Sequence, residues 1–177
     1  KDSWAVAINP HKVSLKTGTV FKDTLSGIAS TYDSSSFKFK VGTKTYTLAD
    51  LKQDSTNPNK YTFEGSDATS RFSFELNNSS KNPHFELTYL SNSSERVDIT
   101  YDTIVTLPEK GNSDNVTTQP DGNVTNQIIG KTGDTIIGSG GGTGAGYYGR
   151  IISKSRPVID YATETMTWTV EINNKEY

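Results

Sequence analysis

Arg96-Val97-Asp98-Ile99-Thr100-Tyr101-Asp102-Thr103-Ile104-Val105-Thr106 holds the clearest pattern in the chain. Val97, Ile99, Tyr101, Thr103 and Val105 fall on one side of a two-residue period, with mostly polar residues between them, which predicts a central β-strand with one buried face. Similar runs lie on both sides of it, separated by turn residues. Upstream are Trp4-Ala5-Val6-Ala7-Ile8-Asn9, residues 13–22, Phe37-Lys38-Phe39-Lys40-Val41, residues 44–48, Tyr61-Thr62-Phe63, residues 71–76 and residues 85–90. Gly42-Thr43 predicts a hairpin turn, and Ala49 to Lys52 a single helical turn. Downstream, residues 107–122 read as a polar loop, and residues 124–131, 135–137, 150–155 and 165–173 as further strands. No stretch keeps a helical period for three turns.

Composition agrees with the pattern. Ser, Thr and Asn number 57 of 177 residues, against eight Leu and one Met. Thr, with nine Tyr and seven Phe, suits pleated sheets and leaves little for amphipathic helices. The expected fold is an all-β, immunoglobulin-like sandwich with a Greek-key core and long polar loops. A net charge of −2 supplies no electrostatic footprint for nucleic acid, and no apolar run is long enough for membrane insertion. The absence of cysteine removes disulfides, thiolate metal sites and cysteine nucleophiles.

Other chemistry-bearing patterns are weak. The tract Gly138-Ser139-Gly140-Gly141-Gly142-Thr143-Gly144-Ala145-Gly146 contains a loose G-x-G-x-x-A, but no helix follows and no βαβ unit surrounds it. It is expected to be a linker or an ordered coil. His11 and His84 each lie beside a proline without metal-ligand spacing. Residues 54–59 alternate oxygen-bearing side chains as a calcium loop does, yet they lack its glycine and terminal Glu, so an Asx-rich turn is expected. No cofactor, metal or enzymatic activity is expected. Five sequons, at Asn77, Asn78, Asn92, Asn115 and Asn123, fit the abundance of Asn, Ser and Thr, and a bacterial surface protein accounts for them together with the missing cysteines.

Trp4-Ala5-Val6-Ala7-Ile8-Asn9 recurs as Trp168-Thr169-Val170-Glu171-Ile172-Asn173, an internal echo that suggests tandem repeats. The segment from Ile152-Ser153-Lys154 to Asn173 resembles the opening of immunoglobulin-like domains in Gram-positive cell-wall adhesins of the collagen-adhesin family. Thr19-Val20-Phe21-Lys22-Asp23-Thr24-Leu25 is similar to the family's V-x-D-x-L strand. Val97 to Thr103 resembles its I-x-Y-x-T strand, and Asn123-Val124-Thr125-Asn126 its closing strand. The resemblance implies a non-enzymatic stalk or host-matrix-binding module, extracellular and cell-wall-attached. It also implies a self-formed isopeptide bond between Lys154 and Asn126, promoted by Asp23.

In the family the Lys strand comes first, whereas Lys154 follows both partners. Three segments are therefore expected. Residues 1–137 form the adhesin domain without its first strand, and residues 138–149 a Gly-rich linker. Residues 150–177 hold either the first strands of a following repeat or a strand that completes the same sandwich. The expected partners are a host extracellular matrix protein or a neighbouring adhesin domain, with strand exchange between copies as one option. A carbohydrate-binding module, using Tyr147 or Tyr148, is the alternative.

Overall fold

In the computed structural model, residues 1–27, 29–63, 71–79, 81–105 and 122–146 are described, together with the backbone of four short strands between 152 and 172. The strands are β1 (Asp2–Ile8), β2 (Thr19–Gly27), β3 (Ser30–Tyr32), β4 (Lys38–Val41), β5 (Lys44–Thr47), β6 (Lys52–Gln53), β7 (Lys60–Thr62) and β8 (Phe72–Asn77). They continue with β9 (His84–Tyr89), β10 (Val97–Val105), β11 (Gly122–Thr132), β12 (Thr135–Gly146), β13 (Ile152–Lys154), β14 (Val158–Asp160), β15 (Thr165–Thr167) and β16 (Val170–Ile172). One sheet runs β1-β10-β4-β5, with β3 also on β10; the other runs β12-β11-β2-β9-β8-β7-β6. All pairings within them are antiparallel. The fold is an all-β, immunoglobulin-like sandwich, as the alternation predicts.

β10 is the central strand of its sheet, flanked by β1 on one edge and by β4 and β3 on the other. Val97, Ile99, Tyr101 and Thr103 are buried, while Asp98, Thr100 and Asp102 face outward. The opposite sheet supplies Phe72, Phe74, Phe85, Leu87 and Tyr89 to the same core. With few Leu available, rings fill the space. Phe37 lies among Tyr32, Phe39, Phe74, Phe85 and Tyr101, with ring centroids 5.1–6.0 Å apart. Such offset and edge contacts add to the burial of large apolar surfaces. At the hairpin between β4 and β5, Gly42 takes φ +61, the left-handed value that a two-residue turn asks of its first position.

Two expectations need correction. The strand expected over residues 13–22 starts only at Thr19. Asn9 and Lys12 adopt φ +52, and the Asn9 side chain clasps Val13 through hydrogen bonds to its N–H and C=O. Val13 is turned out to solvent, and Leu15 is buried in the core but joins a sheet ladder only through an isolated bridge to Ser93. The second correction concerns the linker expected over residues 138–149. Residues 138–146 belong to β12, which pairs with β11 from Thr135 opposite Thr132 to Gly146 opposite Gly122, with one bulge. The boundary expected at residue 137 therefore cuts a strand; residues 147–149 lie outside the described residues.

The glycines have a packing reason. A Cβ on Gly141 would sit 2.9 Å from the Asn126 carbonyl oxygen, and one on Gly144 would sit 2.9 Å from Asp2 Oδ2 and 3.1 Å from the Trp4 ring. Gly142 is also under Trp4, at 3.4 Å. The indole of β1 lies on bare backbone of β12, and its Nε1–H donates to Thr103 Oγ1 at 3.0 Å. Gly144→Val is expected to cost about 1–3 kcal/mol by overpacking. Gly138→Val, with no atom within 4 Å of its Cβ, is expected to cost far less. Paired urea titrations check the difference.

Candidate functional site

Asp23 is fully buried in the middle of β2. The phase of that strand sets this: Thr19, Phe21, Asp23 and Leu25 share the inward face, and Asp23 lies opposite Ile128 of β11 and Phe85 of β9. Among the described residues it is the one ionisable carboxyl or amine that is buried. A carboxylate in such a place must be hydrogen-bonded or take up a proton. The Tyr32 hydroxyl of β3 donates to Oδ1 at 2.8 Å, and the Tyr101 hydroxyl of β10 donates to Oδ2 at 3.0 Å. Asn126 of β11 completes the group by donating from Nδ2 to the Tyr101 oxygen at 2.6 Å. Four strands from both sheets thus meet at one polar cluster, enclosed by aromatic rings.

Burial pushes the Asp23 carboxyl up to about 6, against the opposing pull of the Tyr32 and Tyr101 hydroxyls and the Asn126 amide. Tyr32 and Tyr101 are driven far above the ordinary phenol range, first by burial and then by the neighbouring Asp23 charge. Both phenols stay protonated and remain donors. The carboxyl is therefore closer to its titration point near neutral pH than an exposed aspartate is.

No family model matches the chain, and no curated protein matches it. Among solved structures, it is similar to the collagen-binding domain of a Staphylococcus aureus adhesin, with 16% identity, a TM-score of 0.46, and coverage of 81% of this chain and 87% of that one. It is also similar to ACE19, the collagen-binding subdomain of the Enterococcus faecalis surface protein ACE, with 15% identity, a TM-score of 0.42, and coverage of 80% and 84%. Similarity at this level leaves the function to be read from the chain's own residues.

The structure brings together two of the three site residues expected from the sequence, Asp23 and Asn126. They are diagonal neighbours, since Asn126 is opposite Leu25 and Asp23 opposite Ile128. Lys154 ends β13, which pairs with β16 in a two-stranded sheet apart from the two large ones; its side chain lies outside the described residues. Sequence reading gave no role to Tyr32 or Tyr101. For Tyr101 a signal existed, because its place on the inward face of β10 puts a hydroxyl in the core, where it must find a partner. Tyr32, at the end of a three-residue strand after Ser30 and Thr31, carried none.

The remaining candidates are simpler. Asp54 Oδ1 accepts from the Thr56 N–H and hydroxyl and from the Asn57 N–H, forming the expected Asx turn; these bonds hold its carboxyl down at about 2. His84 Nδ1 is 2.9 Å from the Asn82 carbonyl. Among the described residues no group of three His, Asp or Glu is placed to hold a metal, and no helix is long and apolar enough to cross a membrane. Tyr147, Tyr148, Trp168 and most of the loop over residues 107–122 lie outside the described residues.

Proposed function

We propose that this chain is a non-enzymatic module of a Gram-positive surface adhesin or pilus protein, extracellular and cell-wall-attached. In this reading its sandwich is stapled by an amide bond from Lys154 to Asn126, with Asp23 as the promoting acid. The supporting observation is the buried Asp23–Tyr101–Asn126 chain of hydrogen bonds. It places a carboxyl with a raised pKa within one hydroxyl of the amide that must react.

The chemistry follows from that environment. The neutral lysine amine attacks Cγ of Asn126, and a new C–N bond forms. The bond from Cγ to Nδ2 breaks, and the leaving nitrogen departs as ammonia with a proton that the attacking amine gives up. Asp23, protonated, polarises the amide and passes protons between the two nitrogens. A chain without cysteine gains in this way a covalent tie across its core.

The partner is a host extracellular matrix protein or a neighbouring adhesin domain, and a second copy engages by strand exchange. A purified module that binds immobilised collagen or fibrinogen is a binder; one that binds neither is a stalk. The crosslink itself is tested by intact mass. The folded protein is expected to lack one ammonia, and Asn126→Ala, Asp23→Ala and Lys154→Ala each restore the calculated mass. A full calculated mass in the unmodified folded chain sinks the crosslink.

A further inference from the structure

Among the described residues, β1 is paired along one edge only. Its seven residues meet β10, from Asp2 opposite Thr103 to Ile8 opposite Val97. The other edge carries no strand among the described residues. Beneath it, between the two sheets, runs an open groove of about 340 Å³ walled by Val6, Ile8, Phe21, Ile128 and Ile137. Gly138 and Gly140 also line it and contribute no side chains to fill it. Unpaired main-chain groups above an apolar groove are the requirements of an added strand, which supplies hydrogen bonds and alternate side chains together.

The chain holds a second strand of the same pattern, and that one is paired on an edge. In the tail, β16 lies against β13, with Ile152 opposite Ile172, Ser153 opposite Glu171 and Lys154 opposite Val170. Aligning the two W-x-V-x-I-N motifs places Ile172 on Ile8, Glu171 on Ala7 and Val170 on Val6. β10 occupies one edge of β1, so a strand like β13 can take only the other. Residues opposed in an antiparallel pair share a face. Ile152 and the stem of Lys154 would then lie with Ile8 and Val6 over the groove, and Ser153 would lie with the exposed Ala7 toward solvent.

We infer that the free edge of β1 is a strand-acceptor site, and that its occupant is the Ile152–Lys154 segment of a second copy of this chain. The docked strand runs antiparallel, Ile152 opposite Ile8 and Lys154 opposite Val6. The inference rests on the strand exchange proposed above and gives it a place and a register. Among the described residues the segment pairs with β16 at three positions. The β1 edge offers a seven-residue ladder backed by an apolar groove. Docking is non-covalent and needs no reaction at Asn126.

Sedimentation of the full chain over a concentration series, with hydrogen exchange at the amides of residues 2–8, tests this. Association is expected to grow with concentration and to slow exchange at the edge-facing amides by about tenfold or more. Ser153→Pro, in the tail and outside both large sheets, is expected to abolish association. A peptide of residues 149–157 added to that variant is expected to restore the slowing. Asn126→Ala, on β11 and away from the β1 edge, is expected to keep the association while losing any crosslink, so failure of docking and failure of the amide bond are read separately. A chain that stays monomeric with β1 exchange unchanged by the peptide overturns the inference, as does association that survives Ser153→Pro.

Discussion

Phe37→Ala is expected to destabilise the sandwich by about 3–5 kcal/mol, the range for deleting a buried ring that its surroundings cannot replace. Phe37 is fully buried, and its ring meets five others drawn from both sheets. Collapse into the cavity would require rings from β4, β8, β9 and β10 to move together, and close-packed rings do not shift independently. Tyr46→Ala provides the contrast. That ring is half-buried near the sandwich edge, meets Phe63 among the rings, and is expected to cost about half as much or less. Urea titrations of the two variants at one pH check the ratio, and equal losses would contradict the central role of Phe37.

The second large effect is a fall in stability between about pH 4 and pH 6, where acidic proteins more often gain it. The sign comes from proton binding. Asp23 titrates at about 6 in the fold and near 3.9 in the unfolded chain, so between these values the folded state holds more protons. Stability then declines as pH rises, and the full penalty above the folded value is about 3 kcal/mol. The groups facing this carboxyl are the Tyr32 and Tyr101 hydroxyls and the Asn126 amide, and neither phenol ionises in that range.

The surface carboxyls of Asp33, Asp50 and Asp54 are shifted the other way. Hydrogen bonds from Lys1 and Ser35, from Thr47, and from Thr56 and Asn57 respectively hold them down. Their contribution is lost as pH falls through their lowered folded values, which leaves a maximum near pH 4. Asp23→Asn is expected to flatten the decline above that maximum. Its slope is the readout, since loss of an amide crosslink lowers stability at every pH alike. A wild-type profile that is level or rising from pH 4 to 6 would falsify the assignment.

Particular residues explain how much of this the sequence disclosed. β10 was legible because its two faces meet different surroundings, so burial writes a two-residue period into it. β12 was not, because glycine has no side chain with which to record a period. Its constraint comes from Trp4 and Asp2, more than a hundred positions away. Residues 13–18 misled because left-handed turns at Asn9 and Lys12 redirect a β-like stretch, and nothing in the local composition announces them. At the candidate site, Asp23 and Asn126 were singled out through motifs on β2 and β11. The two tyrosines that join them were hidden because a hydrogen-bond partner across a sandwich leaves no mark on its neighbours in sequence.

The glycine strand also bears on how the module responds to force. The chain leaves β12 at Gly146, paired with Gly122 at the far end of a hairpin, so tension on the tail opens β11 from β12 one hydrogen bond at a time, like a zip rather than a lap joint. A strand that is glycine at six of its twelve positions has little else to resist with. An amide between Asn126 and Lys154 would alter the path of the load. Tension entering at Lys154 would pass directly to β11, and residues 127–153, β12 included, would hang slack as a loop outside the load-bearing line.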